Sequence, residues 1–389
     1  MLYVIIIYTI MNKFLTILLA LLISPAVFAA ETVLKVNSSL PDMSFGVFGT
    51  LDIGAHYADR NIDPNTGKRL ALDSSLQKPS QIGLRAGTKI YEDLKTGIVL
   101  DRSLRSDTGT EGNGFDRQAF WYIASDKYGK LSLGRQYSST YLAAIAFDPF
   151  ADNIIGDIRV AYKFLIRTDN TLSYTSPDFG GLYFMTGYTF SAVSDERNAN
   201  DGDISLAFFT PFYKNGNFKT ALSLQYYSMD SENVFAADAF ASYDFGLFKL
   251  TGAYGRHIAS EADFTVYGSE GKNTEQLIGA LTMPLWKNCL LTTFYAHRST
   301  SVAVGGEPPA KINQYSLGLT QTLSKNLNLY LIYTSIINNS TARDSLLSGG
   351  RLGSAIHPNA APGINSGYQS GLALGINFAF DLNLEVSSK

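Results

Sequence analysis

The sequence predicts an all-β protein, a transmembrane antiparallel barrel of about sixteen strands with short periplasmic turns and long extracellular loops. Three observations lead there: an unusual composition, a two-residue rhythm of apolar side chains, and connections that alternate between tight and long. Charged residues make up only 17% of the 389 positions, Tyr and Phe number 23 and 24, and mean hydropathy is close to zero. A helical membrane protein would be far more apolar and a soluble enzyme would carry more charge. A wall with one face in lipid and the other in water has this balance. The net charge of −3 supplies no global field that would attract nucleic acid. Cys289 is the single cysteine, so the chain can form no internal disulfide and no metal site of several thiolates. It reads as a small packing residue.

Residues 1–29 have the layout of an export signal. Met11, Asn12 and Lys13 open it, Phe14 to Ile23 form an apolar core, and Pro25-Ala26-Val27-Phe28-Ala29 ends it with small residues, which places cleavage after Ala29. Residues 1–10 precede a second Met and add no positive charge, which points to Met11 as the start. The competing reading is an uncleaved anchor. Beyond residue 30 no segment has the length and apolarity of a spanning helix; the longest uncharged stretch, His357 to Phe380, is interrupted by Gly, Pro and Asn. Membrane insertion therefore has to use strands. The expected division is a signal at 1–29, a barrel at 30–380, and an extension or tail at 381–389.

The dominant period of the mature chain is two, the spacing of a strand with unlike faces. Leu372, Leu374, Ile376, Phe378 and Phe380 alternate with Gly371, Ala373, Gly375, Asn377 and Ala379, and Tyr315, Leu317, Leu319 and Leu323 with Ser316, Gly318, Thr320 and Thr322. Leu327, Leu329, Leu331 and Tyr333 form another such face, as do Ile82, Leu84 and Ala86. No charge interrupts these faces, as lipid contact requires. The opposite face is mostly Gly, Ser, Thr, Asn and Ala, which suits a lumen better than the outer surface of a soluble sandwich.

On this rhythm strands are expected at 43–57, 79–91, 95–105, 115–125, 128–137, 168–176, 181–191, 202–212, 215–229, 234–245, 247–258, 273–285, 287–299, 311–323, 326–338 and 368–380. Most have the length that crosses a bilayer at a tilt. Tight joins such as Lys214-Asn215-Gly216-Asn217, Asp244-Phe245-Gly246 and Trp286-Lys287-Asn288 carry the Gly, Asn and Asp of hairpin turns. Longer segments at 58–78, 138–167, 192–201, 259–272, 300–310 and 339–367 alternate with them. An even count near sixteen leaves room for an aqueous lumen.

Catalytic and metal chemistry find little support. His56, His257, His297 and His357 lie near strand ends or in loops without a nucleophile signature, and neither Gly-x-Ser-x-Gly nor His-Glu-x-x-His occurs. Asp63-Pro64-Asn65-Thr66-Gly67, Asp195-Glu196 and Asp201-Asp203 offer oxygens to Ca²⁺, but their spacing matches no ordered ligand loop, and they read as solvated tips. No enzyme activity, metal or cofactor is expected. A second functional class remains, a substrate-selective channel with a saturable binding site in its long loops.

Several segments resemble the general porin family of Gram-negative bacteria, in particular its trimeric sixteen-stranded members. They are Phe45-Gly46-Val47-Phe48-Gly49-Thr50-Leu51-Asp52, Ser80-Gln81-Ile82-Gly83-Leu84-Arg85-Ala86-Gly87 with Glu92-Asp93-Leu94, Phe115-Asp116-Arg117-Gln118-Ala119-Phe120, Leu133-Gly134-Arg135-Gln136-Tyr137, Asp169-Asn170-Thr171-Leu172-Ser173-Tyr174, and the final alternating strand. Each is short, and their order and spacing across nearly the whole mature chain carry the likeness. The resemblance implies a homotrimer in the outer membrane, surrounded by lipid and lipopolysaccharide, with one pore per subunit for passive diffusion of small hydrophilic solutes and ions. It implies a third loop, here 138–167, folded into the pore, bringing Asp148, Asp152 and Asp157 opposite a basic wall ladder at Arg85, Arg117 and Arg167. A transverse field across such a narrowing sorts solutes by charge, because a low-dielectric rim focuses the field of a few charges. Arg85 faces the lumen by parity. Arg117 shares its parity with Trp121, and Arg167 precedes a strand; rim or loop-anchoring roles are the alternatives. Arg135 falls on the face of Leu131 and Leu133 and is expected to pack under the long loop or against a neighbouring subunit. Two departures stand out. Gln81 replaces an arginine usual in the family, which weakens anion preference, and Phe380 is followed by nine residues where family members end on an aromatic.

Overall fold

The computed structural model describes residues 33–38, 42–60, 69–150, 155–156, 158–162, 164–192, 204–228, 233–259, 273–300, 309, 311–338 and 368–388. The expected signal segment and the acids at Asp63, Asp195, Glu196, Asp201 and Asp203 lie outside these residues. Eighteen strands form one sheet, and sixteen of them close the wall. In chain order they are β1 (Val33–Ser38), β2 (Met43–Arg60), β3 (Arg69–Ser74), β4 (Gln81–Tyr91), β5 (Leu94–Ser103), β6 (Gln118–Ser125), β7 (Gly129–Tyr137), β8 (Arg167–Thr175) and β9 (Leu182–Thr189). The remainder are β10 (Ser205–Asn215), β11 (Phe218–Ser228), β12 (Asn233–Asp244), β13 (Lys249–Ala259), β14 (Asn273–Trp286), β15 (Cys289–Thr300), β16 (Lys311–Ser324), β17 (Leu327–Asn338) and β18 (Tyr368–Ser388).

From β4 to β18 each strand pairs antiparallel with the next, and β18 pairs antiparallel with β2 from Gln369↔Arg60 to Val386↔Met43. That seam, with β2–β4 pairing, closes the ring and leaves no edge for lipid to meet. The tight turns use backbone that only certain residues adopt cheaply: Gly129, Gly216, Gly246 and Asn288 have φ of 87°, 53°, 85° and 62°.

The two-residue rhythm sorts as expected. Leu84, Leu317, Leu331, Leu372 and Leu374 are exposed on the outer wall while Gly371, Ala373, Gly375 and Asn377 between them are buried inward. Aromatic side chains gather outside at both rims: Tyr91, Tyr128, Phe179, Tyr243, Phe245 and Trp286 near the tight turns, and Tyr57, Tyr188, Phe190, Tyr226 and Phe235 near the other end, all exposed. Rings with a polar edge suit the bilayer interface.

The structure departs from the strand expectations in four places, the first being β1, a strand ahead of the earliest one expected. The segment 58–78, read as a loop, contains β3. The segment 138–167 contains a helix, α1 (Ser139–Phe147), and a 3-10 turn at Ile158–Val160. The helix starts where the Ser138 hydroxyl accepts the Tyr141 N–H at 3.0 Å and stops before Pro149, whose ring disfavours helix in the preceding residue. The final strand runs on past Phe380 to Ser388. The inward face is also greasier than its composition suggested: Leu206, Phe208, Phe212 and Phe240 point inward and are buried, because the helix and its loop pack on them.

A charge at mid-depth outside should be costly. Leu374→Arg should lower the stability of the barrel folded in phospholipid vesicles by about 2–4 kcal/mol, and Leu323→Arg near a tight turn by about 0–1 kcal/mol. Urea titration in vesicles reads the difference; equal costs would place Leu374 away from lipid.

Candidate pore constriction

Two stretches of chain leave the wall and enter the lumen. The first is the segment Ser75–Ser80. β3 lies along Ile53–Ala58 of β2 and β4 along Met43–Thr50, both antiparallel, so β3 and β4 are two halves of one wall position with an inward step between them. The fully buried Asp52 holds that step. Its carboxylate accepts the N–H groups of Leu76 (2.7 Å), Gln77 (3.2 Å) and Lys78 (2.9 Å) and the Tyr330 hydroxyl (2.8 Å). Gln77 reaches onward, donating to the Thr320 hydroxyl at 2.9 Å and accepting from Asn377 at 2.5 Å. The step is thereby laid across β18, β17 and β16. Burial lowers the pKa of the Lys78 ammonium, and the neighbouring Asp52 carboxylate partly restores it.

The second inward stretch is the long loop after β7. Thr140 on α1 shares a hydrogen bond with Ser223 (2.5 Å), Thr210 donates to Ser139 (2.8 Å), and Phe147 stacks on Phe240 with centroids 5.7 Å apart. Those contacts tie the helix to β10, β11 and β12. Farther round the wall Phe150 meets Phe294 edge-on at 6.2 Å. The Ile155 N–H donates to the Leu76 carbonyl at 3.2 Å, which joins the two inward stretches. On the return, Tyr162 donates to the buried Asp238 at 2.8 Å, and His257 Nε2 lies 3.1 Å from the same carboxylate oxygen. Burial first, then the Asp238 charge, push the Tyr162 phenol well above its ordinary pKa, which keeps it a donor. Two inward-facing glycines make room: a Cβ at Gly255 would stand 2.5 Å from the Tyr162 hydroxyl, and one at Gly318 would strike the Phe150 ring.

Charged side chains gather where this loop leaves and rejoins the wall. Asp101 on β5 is fully buried, and Arg117 pairs with it at 3.3 Å and donates to the Tyr137 hydroxyl at 2.6 Å. The guanidiniums of Arg117 and Arg167 lie 5.7 and 5.4 Å from the Tyr137 ring centre. The structure thus brings Arg117 and Arg167 together, and adds Asp101. Arg85 stands apart, on the lumen face beside Gly46, which precedes Asp52 on β2 by six residues, about 20 Å of strand toward the tight-turn end. Gln81 lies opposite Thr50 and Ser103 on the same face as Arg85. Asp148 ends α1 and accepts the Phe150 N–H at 2.9 Å. Asp152 and Asp157 lie outside the described residues. Arg135, at a bulge in the β7–β8 pairing, forms an ion pair with Asp169 and donates to the Asp116 carbonyl at 2.9 Å.

Sequence reasoning passed over Asp52, Lys78, Asp101, Tyr162, Asp238 and His257. Asp52 and Asp238 did carry a signal, a carboxylate on the lumen parity of a strand whose other inward residues are neutral, while Asp101 shares its inward face with Lys95. Lys78 and Tyr162 carried none, since nothing local says that their segments fold inward. Among the described residues the lumen holds no cluster of three or more His, Cys, Asp and Glu that could bind a metal ion. Among the described residues, two hydrogen-bonded segments enter it.

If Asp52 holds the inward step, Asp52→Ala should keep the β-sheet spectrum, lower the unfolding midpoint, and raise single-channel conductance. Each buried hydrogen bond left unmade costs about 1–3 kcal/mol, less where lumen water replaces it. Unchanged conductance would remove residues 75–80 from the narrowing.

Comparisons with known proteins agree with this architecture. A family model described as Gram-negative porin matches residues 15–341. An outer membrane porin protein of Bordetella pertussis is 27% identical over 345 residues, covering 74% of this chain and 88% of that protein. Outer membrane porin protein 32 of Delftia acidovorans is 25% identical over 377 residues, covering 92% and 99%. The solved anion-selective porin from Comamonas acidovorans superposes with a TM-score of 0.69 at 22% identity, covering 87% of this chain and all of that one. A closed wall with lipid outside and a narrowed polar lumen, matched along most of its length by this family model, places the chain in the Gram-negative porin family.

Proposed function

We propose that three copies of this barrel associate in the outer membrane, and that each narrowing prefers anions weakly. The channel itself follows from fold and family: an outer-membrane porin passes small hydrophilic solutes and ions down their gradients. The observation that carries the reading is a lipid-facing wall closed around a lumen that the Asp52-held step and the long loop enter, with Asp101, Arg117 and Arg167 grouped at the root of that loop. Selection needs no binding pocket. Charges at a narrow, low-dielectric rim raise the local concentration of counter-ions and lower that of like-charged ions.

Anion preference is supported by Arg117 and Arg167 standing together against the single Asp101 carboxylate, with Lys78 on the inward step. The relative from Comamonas acidovorans is described as anion-selective. Neutral Gln81, where the family usually has arginine, and Asp148 of the long loop hold the preference down. Trimer assembly is supported by polar side chains on an otherwise apolar outer sector: Arg102 pairs with Glu111 at 2.9 Å, and Arg135 with Asp169. Such groups fit a subunit contact better than acyl chains. Lipopolysaccharide would surround the aromatic rim at the long-loop end.

Planar bilayers test each part. Conductance should appear in steps of three, and solute flux should rise linearly with concentration; a saturating flux would identify a selective channel instead. Arg167→Gln should shift the reversal potential in a salt gradient toward cations, by about twofold in permeability ratio near 0.1 M salt. No shift would remove Arg167 from the conduction path.

A further inference from the structure

We propose that the residues after Phe380 set the charge of the lumen at its tight-turn end, with Asp381 neutralising Arg85 on the inner wall. The proposal rests on the channel reading and concerns a part of the pore remote from the Asp52-held step.

The extension belongs to the wall. β18 continues from Phe380 to Ser388, and Leu382, Leu384 and Val386 keep the parity of the outer residues Leu372 to Phe380. Asp381, Asn383 and Glu385 consequently share the inner parity of Ala373, Gly375 and Asn377. Their partners on β2 are Phe48, Gly46 and Ser44. The other edge of the extension pairs in parallel with the backbone of β1, Val33↔Asn383 to Ser38↔Ser388, so neither edge is left open.

Arg85 reaches this extension across β2. It lies opposite Gly46, where a Cβ would collide with the Arg85 side chain and the Asn383 amide oxygen; glycine provides the slot. Through it Arg85 forms an ion pair with Asp381, and its Nε donates to Asn383 Oδ1 at 3.1 Å. The guanidinium also lies 5.5 Å from the centre of the Phe48 ring. The Arg85 and Asp381 side chains are 37% and 45% exposed, so water and passing ions meet both charges. Lys89 and Lys95, paired across β4 and β5, lie on the same face as Arg85. Asp381 and Glu385 stand against them.

An exposed pair of this kind contributes little to stability, so its removal should leave the barrel intact while changing the field that ions cross. The experiment is a reversal-potential series on refolded full-length protein in planar bilayers under a KCl gradient. Asp381→Asn should shift the permeability ratio toward chloride by about twofold near 0.1 M salt, and Asp381→Asn with Glu385→Gln should shift it further. Arg85→Gln should shift it toward potassium. Each shift should fade near 1 M salt, where the screening length falls to about 3 Å. Wild-type channels that conduct while both acid variants leave the reversal potential unmoved would overturn the role of the extension and leave the porin reading standing. A wild-type protein that forms no channel would overturn both.

Discussion

In the hydrocarbon core of a bilayer no water is available to satisfy a backbone N–H or C=O, and each one left open costs several kcal/mol. A strand can enter only if both its edges are paired, which forces the sheet to close. Here closure rests on one seam between chain-distant elements, β2 and β18, paired from Gln369↔Arg60 to Val386↔Met43. Apart from the short β1–β18 pairing, every other pairing joins strands next to each other, or next but one, in the chain. The alternating side chains follow from that closure: once the ring exists, one parity meets lipid and the other the lumen.

A hollow ring of this size would be a wide hole, and what narrows it is held by buried carboxylates. Asp52 gathers three backbone donors and a phenol and turns a wall strand inward. Asp238 does the corresponding work for the returning loop through Tyr162. A charged acceptor is suited to both places, since hydrogen bonds to ionised groups are shorter and stronger than neutral ones and a carboxylate can accept several at once. The apolar inward patch of Leu206, Phe208, Phe212 and Phe240 completes the fixation by giving α1 something to pack on.

On the proposed reading, the same arrangement would let an almost neutral protein discriminate by charge. Charged side chains on the inner wall fall into two groups: the buried Asp101 and Arg117 with Arg167 at the root of the long loop, and the part-exposed Arg85 with Asp381 at the tight-turn end. Local fields at a narrow passage outweigh the distant remainder, which solvent screens beyond about 8–10 Å at physiological salt.

By itself the sequence determined the sixteen strands of the wall, their outer faces and their turns. Those depend on neighbours one, two or four residues away, as in the run Leu372 to Phe380 or the turn at Asn288. The resemblance drawn from short segments such as Leu133 to Tyr137 likewise needed only order and spacing. The tertiary structure alone decided where the inward steps go and which charges meet. That β3 and β4 are halves of one wall position depends on Asp52 meeting Tyr330, far away in the chain. Arg117 and Arg167 meet at Tyr137 because the segments that lead into β6 and β8 bring them to the end of β7. Arg85 meets Asp381 across β2 because closure sets β18 against the other edge of that strand. Periodicity shows which face a side chain occupies; only the closed register shows what stands across from it.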